Sequence, residues 1–274
     1  MSAPVVLVTG AGGALGRVLL ADLPALGWEV RGLDVTATPG VSEGSVRDEG
    51  RLREVMRGAD AVVHLGGVSL PGAPWRDYLE TNIDGTRTVL EVARQLGVRR
   101  VVLGSSNHAA GFVRRGPGEL SADVAARPDS TYGVSKAAIE ALGSLYADAY
   151  GLEVTSLRIG SCFPRPSDRR ALATWLSYAD FVRLVQASLV GPWHGHTTVW
   201  GVSRNTRHWW SLEAGARIGY EPVDDAEVYA DVVAESDSDW VGGDAPVRPG
   251  PGREVREVAE LGSLRAQGAV TVDR

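Results

Sequence analysis

Lysine is almost missing from this sequence. Of 28 Lys plus Arg side chains, Lys136 is the one lysine. Where a generic positive charge would serve, the chain uses arginine. Lys136 is therefore expected where a compact ammonium fits and a planar guanidinium does not. Cysteine is equally scarce. The single Cys162 excludes an internal disulfide and any cysteine-cluster metal site, and it is expected to be a buried apolar residue. Asparagine occurs only at Asn82, Asn107 and Asn205. No run of 18 apolar residues is present, so no membrane span is expected. Met-Ser-Ala-Pro leads straight into an apolar strand with no basic region before it, which is not a signal peptide and points to the cytoplasm. Positive charge is not in excess either. A formal net charge of −6 argues against nucleic acid or an anionic membrane as partner.

What is present is the composition of an ordinary soluble globular protein, 44% hydrophobic and 23% charged. Val5 to Val8 is a continuous apolar run, the mark of a strand buried on both faces. Glycines at 10, 13 and 16 follow, then an apolar-periodic helix over 17–26. Gly10 permits a tight turn, Gly13 lets the backbone approach a pyrophosphate, and Gly16 lets helix pack on strand. The helix N-terminus offers unpaired N–H groups to phosphates. A second strand, 29–34, ends in Asp34. That spacing places a carboxylate on the adenosine ribose, where it would repel a 2′-phosphate and favour NAD over NADP.

Further strands are expected ending at 45–48, over 61–67, 100–104, 152–158 and 197–202. Helices are expected over 50–56, 78–96, 135–146, 171–189 and 211–218. This alternation predicts an α/β fold with a doubly wound parallel sheet, a Rossmann fold, carrying a small C-terminal substrate-binding portion. Residues 1–160 are assigned to dinucleotide binding. Residues 161–274 are assigned to the substrate portion, interleaved with the last strand, with a tail from about 242 that has no assigned role. Ligands of such sheets sit at the carboxyl ends of the strands, where Gly10, Asp34, Gly66 and Ser106 fall.

The fifth strand runs into Ser105-Ser106-Asn107-His108, and a polar linker leads to Tyr132-Gly-Val-Ser-Lys136. Four residues apart on a helix, Tyr132 and Lys136 share one face. A neighbouring ammonium favours the phenolate and lowers the phenol's pKa from about 10, making it usable as a general base. An isolated Y-x-x-x-K also describes a half-buried Tyr beside an exposed Lys. The preceding Ser-Ser strand end and glycine turn favour the chemical reading. His108 reads equally as a ligand-binding residue or as a capping or packing histidine. His64, His194, His196 and His208 carry no such context, and His194 with His196 lacks further ligands for a metal.

Thr9-Gly-x-x-Gly-x-x-Gly16, Asp34, Asn82-x-x-Gly-Thr86, Ser106 and Tyr132-x-x-x-Lys136 resemble the extended short-chain dehydrogenase/reductase family over roughly residues 4 to 235. Within it, His64-Leu-Gly-Gly-Val-Ser69, Ser105-Ser-Asn-His108, Arg127-Pro-Asp129, Arg158-Ile-Gly-Ser-Cys162 and Thr174-Trp-Leu-Ser177 resemble the bacterial uronate dehydrogenases. That resemblance implies NAD-dependent oxidation of galacturonate or glucuronate at C1 to an aldarolactone by a homo-oligomer. Tyr132 is then the base, Ser106 holds the same oxygen, and Lys136 binds nicotinamide-ribose hydroxyls. The cofactor would be bound by Gly10, Gly13, Ala14, Leu15, Asp34, Ser45, Val46, Leu65, Gly66, Gly67, Asn82, Ser105, Tyr132, Lys136 and Ile159. The sugar acid would meet Ser69, Ser106, Asn107, His108, Tyr132 and Ser161, with Arg170 on its carboxylate. Relatives commonly carry an acid at Ser45, and Asp48 is the candidate substitute. Two rival readings remain: a nucleotide-sugar epimerase or dehydratase, and a non-catalytic NAD(P)-sensing protein on the same fold.

Overall fold

In a computed structural model describing residues 2–70 and 72–233, seven parallel strands form one sheet in the order β3-β2-β1-β4-β5-β6-β7. The strands are β1 Val5–Thr9, β2 Glu29–Asp34, β3 Val41–Glu43, β4 Ala61–His64, β5 Arg100–Ser106, β6 Glu153–Ile159 and β7 His196–Gly201. The helices are α1 Ala14–Asp22, α2 Glu49–Met56, α3 Trp75–Asp77, α4 Gly85–Leu96, α5 Thr131–Tyr150, α6 Ala171–Thr174, α7 Tyr178–Val190, α8 Glu213–Arg217 and α9 Ala230–Val233. The strand order reverses between β1 and β4, and the crevice outside that point is where such sheets take ligands.

Strand β1 shows why its sequence is continuously apolar. Val6 and Val8 face a core shared with Phe181 and Leu184 of α7, whereas Val5 and Leu7 face Leu90 of α4 and Ile139 of α5. Both faces are buried, so alternation is lost. The residues beyond 160 add β7 to the sheet edge through the register Leu157 to Val199 and pack α7 beneath it. No helix among the described residues is long and apolar enough to cross a membrane. The tail from about 242 lies outside the described residues.

Several boundaries differ from the sequence reading. Helix α1 begins at Ala14, three residues before the expected start, and Pro24 turns its last part into a 3-10 helix, Leu23–Leu26. The third strand is Val41–Glu43. Ser45 to Asp48 is instead a turn into α2, with Asp48 N donating to the Ser45 carbonyl at 3.0 Å. Asp48 is the N-cap of α2, accepting from Arg51 N at 3.0 Å, which commits the proposed substitute carboxylate to a structural task. The expected helix 78–96 opens with a π-helical segment, Tyr78–Asp84. The expected helix 171–189 is broken. Trp175 turns extended and bridges Ser161, and Ser177 then caps α7 by accepting from Asp180 N.

Candidate active site

The glycine turn comes first because it builds the cofactor cradle. Gly10 has φ +71°, and a methyl there would lie 2.7 Å from Gly66 N. Only glycine lets β1 and β4 end this close together. A methyl on Gly16 would meet the Gly10 carbonyl at 2.2 Å, so helix and turn are also in direct contact. Gly13 is the N-cap of α1 and contributes no side chain, which leaves the first-turn amides of Ala14 and Leu15 for an anion. Asp34 is held at the end of β2, accepting from Gly12 N at 2.9 Å and Thr36 N at 3.2 Å. Arg31 is engaged elsewhere, with Glu29 and the Arg57 carbonyl. Pyrophosphate at the turn and an unphosphorylated ribose at Asp34 fit these groups. Gly66 and Leu65 line the same crevice. Gly67 approaches Asn82 so closely that a methyl would fall 2.8 Å from its Oδ1. Val46 is buried behind Gly66 and Gly85, and the Ser45 hydroxyl accepts from Arg47 N at 3.2 Å.

Strand β5 delivers Ser106, whose Oγ accepts from His108 N at 3.3 Å. Alternation sends Ser105 to the opposite face, where its hydroxyl donates to Glu140 at 2.6 Å and is not offered to the crevice. Helix α5 brings Tyr132 to Ser106. Ser130 caps it, accepting from Gly133 N at 3.0 Å. A methyl on Gly133 would lie 2.4 Å from the His108 carbonyl, so glycine lets the first turn sit on the Ser-Asn-His backbone. Asn82 reaches across from the π segment. Its Oδ1 accepts from Val68 N at 2.7 Å, and its Nδ2 donates to the Val68 carbonyl at 3.0 Å and Ser135 Oγ at 2.9 Å. Ser135 Oγ in turn donates to the Tyr132 carbonyl at 2.7 Å.

Lys136 corrects the sequence expectation. Its Nζ donates to the Gly104 carbonyl at 2.7 Å and sits 5.5 Å from the Tyr132 ring centroid. Burial pushes the Tyr132 phenol up to about 12, a hydrogen bond from Ser106 pulls it down, and Lys136 is not among the influences on it. Burial pushes Lys136 itself down to about 8, with Glu140 opposing. In this structure the phenol is therefore protonated at neutral pH, and Ser106 is the group that draws it towards phenolate.

Next to Ser106, Asn107 joins three elements. In the amide orientation that satisfies both neighbours, it donates to the Ile159 carbonyl at 3.1 Å and accepts from Arg170 Nη2 at 2.8 Å. Burial pulls the Arg170 pKa down, with Asp168 and Asp129 opposing. Ser161 Oγ shares a 2.9 Å hydrogen bond with Thr174 Oγ1, and Ser69 lies exposed in the loop after β4. His108 Nδ1 meets both oxygens of Asp129, at 2.9 and 3.0 Å. Cys162, expected to be a buried apolar residue, is half-buried and packs against the core that contains Val6 and Val8, and burial raises its thiol pKa.

The sequence profile of the NAD dependent epimerase/dehydratase family matches residues 6–213. The chain belongs to this family. The chain is similar to a uronate dehydrogenase of Pseudomonas syringae pv. tomato, 40% identical over 230 residues, covering 81% of this chain and 83% of the relative. The crystal structure of glucuronic acid dehydrogenase from Chromohalobacter salexigens is 38% identical, with a TM-score of 0.81 over 89% of this chain and 93% of that one. A mutant uronate dehydrogenase from Agrobacterium tumefaciens complexed with NAD is 37% identical, with a TM-score of 0.81 over 89% and 94%.

Membership of the NAD dependent epimerase/dehydratase family does not exhaust the site, because the structure engages three polar groups to which the sequence reading assigns no role. His64 is fully enclosed between Thr9 and Thr86, at 2.7 and 2.9 Å. Thr86 Oγ1 donates to the Asn82 carbonyl at 2.5 Å and so accepts from His64 Nε2, while Thr9 Oγ1 accepts from Gly66 N at 3.2 Å and so donates to His64 Nδ1. Burial drives the His64 pKa down to about 3, with Lys136 acting the same way. The second group is Glu140, one turn beyond Lys136, paired with Arg158 at 2.8 and 3.0 Å. The third is Asp129. A lone polar residue ending the apolar run Ala61-Val-Val-His64 was the signal available for the first.

Proposed function

We infer that this chain catalyses the NAD-dependent oxidation of a hexuronic acid, galacturonate or glucuronate, at C1 to the aldarolactone. The observation that carries this reading is the 2.8 Å contact of Arg170 with Asn107. It supports a carboxylate-binding guanidinium beside the Ser106–Tyr132 pair, as a sugar acid requires. The uronate dehydrogenases among the relatives support the same substrate class.

NAD supplies the hydride acceptor and a cationic ring when bound. The first-turn amides of α1, Asp34 and Lys136 would hold it. Tyr132, as phenolate, takes the anomeric hydroxyl proton. Ser106 hydrogen-bonds the same oxygen and orients it. The C1 hydrogen leaves as hydride while the lactone carbonyl forms, so positioning of C1 dominates the rate. Lys136 keeps an ammonium beneath the phenol. Asn107 and Arg170 set the sugar's orientation from its far end, with His108, Ser69 and Ser161 as further hydroxyl partners.

A homo-oligomer accompanies this reading, supported by the exposed apolar residues Val134 and Leu145 along α5. The cytoplasm is the compartment proposed for an NAD-consuming enzyme with one half-buried thiol. The decisive experiment mixes protein, NAD and each uronate and follows NADH. Stoichiometric NADH with either sugar acid is expected. Its absence with both would remove the uronate reading and favour an epimerase that returns its hydride.

A further inference from the structure

Asp129 is a buried carboxylate next to the site, and the reaction above assigns it no task. Its side chain is 3% exposed, against 41% for His108. A methyl on Gly111 would fall 2.0 Å from Asp129 Oδ2, so the glycine keeps the space the carboxylate fills. Two hydrogen-bonded neighbours fix its orientation. Ser130 Oγ accepts from Gly133 N at 3.0 Å and therefore turns its proton to Asp129 Oδ1, at 3.1 Å. His108 Nδ1 lies within 3.0 Å of both carboxylate oxygens. A carboxylate only accepts, so Nδ1 carries the proton and a neutral imidazole keeps its lone pair on Nε2. The imidazole is the half-exposed member of the pair and stands edge-on to Tyr132, with ring centroids 5.8 Å apart.

We propose that Asp129 is a positioning residue for the substrate: it locks His108 in the tautomer whose Nε2 accepts a hydrogen bond from a sugar hydroxyl adjacent to the reacting carbon. This deepens the uronate reading and rests on it for the identity of the sugar. Discrimination follows from the lock. A sugar offering a hydroxyl proton at that point is held. One lacking the hydroxyl leaves the Nε2 acceptor without that partner, a loss that polar sites turn into selectivity.

The test has two arms. Nitrogen-15 imidazole shifts of the ligand-free protein should report His108 protonated on Nδ1 in the wild type and not in Asp129→Asn, whose amide can donate to Nδ1. In steady-state kinetics, Asp129→Asn should raise the uronate KM about tenfold, the size of one lost ground-state hydrogen bond, with kcat and NAD affinity little changed. Asp129→Glu should recover part of the KM. Ser130→Ala, which removes the helix cap together with one of the two bonds that orient Asp129, should lower the melting temperature and raise KM by less than Asp129→Asn does. An unchanged tautomer in Asp129→Asn, or a KM equal to wild type, overturns the proposal. So does a kcat loss as large as the KM rise, which would place Asp129 in the chemical step. Failure of the wild type to reduce NAD with any uronate sinks the uronate reading and leaves the tautomer arm standing on its own result.

Discussion

Lys136 Nζ is bonded to the Gly104 carbonyl, 2.7 Å away, and not to the Tyr132 phenol one turn before it. The ammonium is anchored to the strand that carries Ser106. It fixes where α5 sits against β5. It does not by itself ionise the phenol, which burial keeps at about 12. Within the protein, Ser106 is the group that pulls the phenol down, and a bound cationic nicotinamide would act in the same direction.

Tyr132→Phe should lower kcat by at least about a hundredfold, the scale of positioned general acid–base catalysis. NAD affinity should stay nearly constant, since the ring and its Tyr78 contact at 5.9 Å remain. Single-turnover kinetics with NAD titration by fluorescence separates the two. Substantial residual turnover would place the base elsewhere.

Lys136 gives an alkaline limit to activity. Its pKa near 8 in the ligand-free protein means that the ammonium is lost as pH rises through 8. The rate kcat/KM, which reports the free enzyme, should fall on that side. Lys136→Arg should be far less active, because the cavity that holds Nζ against Gly104 is enclosed. A pH profile flat from 7 to 10, about one unit and two units either side of that value, would count against this.

Arg170→Ala should raise the KM for galacturonate and glucuronate about ten- to a hundredfold, as charged hydrogen bonds contribute about 1.5–3 kcal/mol. Residual oxidation of a neutral aldose should change much less. Equal loss on charged and neutral sugars would show that Arg170 acts through Asn107 alone.

His64 predicts an acid-side stability slope. Its folded pKa is about 3, below its ordinary value of 6.5. Below pH 6.5 the unfolded chain binds a proton that the folded one refuses. Stability from this group is complete above 6.5 and is lost as pH falls towards 3, at up to about 1.4 kcal/mol per pH unit. Urea unfolding between those limits should show a shallower slope in His64→Asn than in the wild type. Parallel slopes would mean that His64 is not buried neutral.

Asp34→Ser should weaken NAD and improve NADP, shifting the ratio of affinities by about tenfold or more, because the carboxylate's repulsion of a 2′-phosphate is removed. Isothermal titration with both dinucleotides checks it. An unchanged ratio would move the ribose site away from Asp34.

Local patterns were legible in the sequence. The apolar run of β1, the glycines after it, Asp34 at its strand end and the Tyr132–Lys136 spacing all depend on residues close in the chain, and the sheet follows from their order. What was not legible depended on distant partners. The π segment exists because Asn82 is tied to Val68 and Ser135, 14 and 53 residues away. Trp175 leaves its helix because Ser161 and the Phe163 carbonyl hold it. His64 looked idle because its partners, Thr9 and Thr86, lie 55 and 22 residues off. Lys136 was matched with the nearest phenol because no sequence pattern announces a carbonyl such as that of Gly104.

With its one lysine 8% exposed, the surface of this protein is bare of primary side-chain amines. Succinimidyl dyes, aldehyde fixatives and amine-coupling supports have no lysine to grip while the fold is intact. Reductive methylation of that residue would accordingly register the opening of the crevice itself, turning a routine labelling reagent into a gauge of active-site breathing.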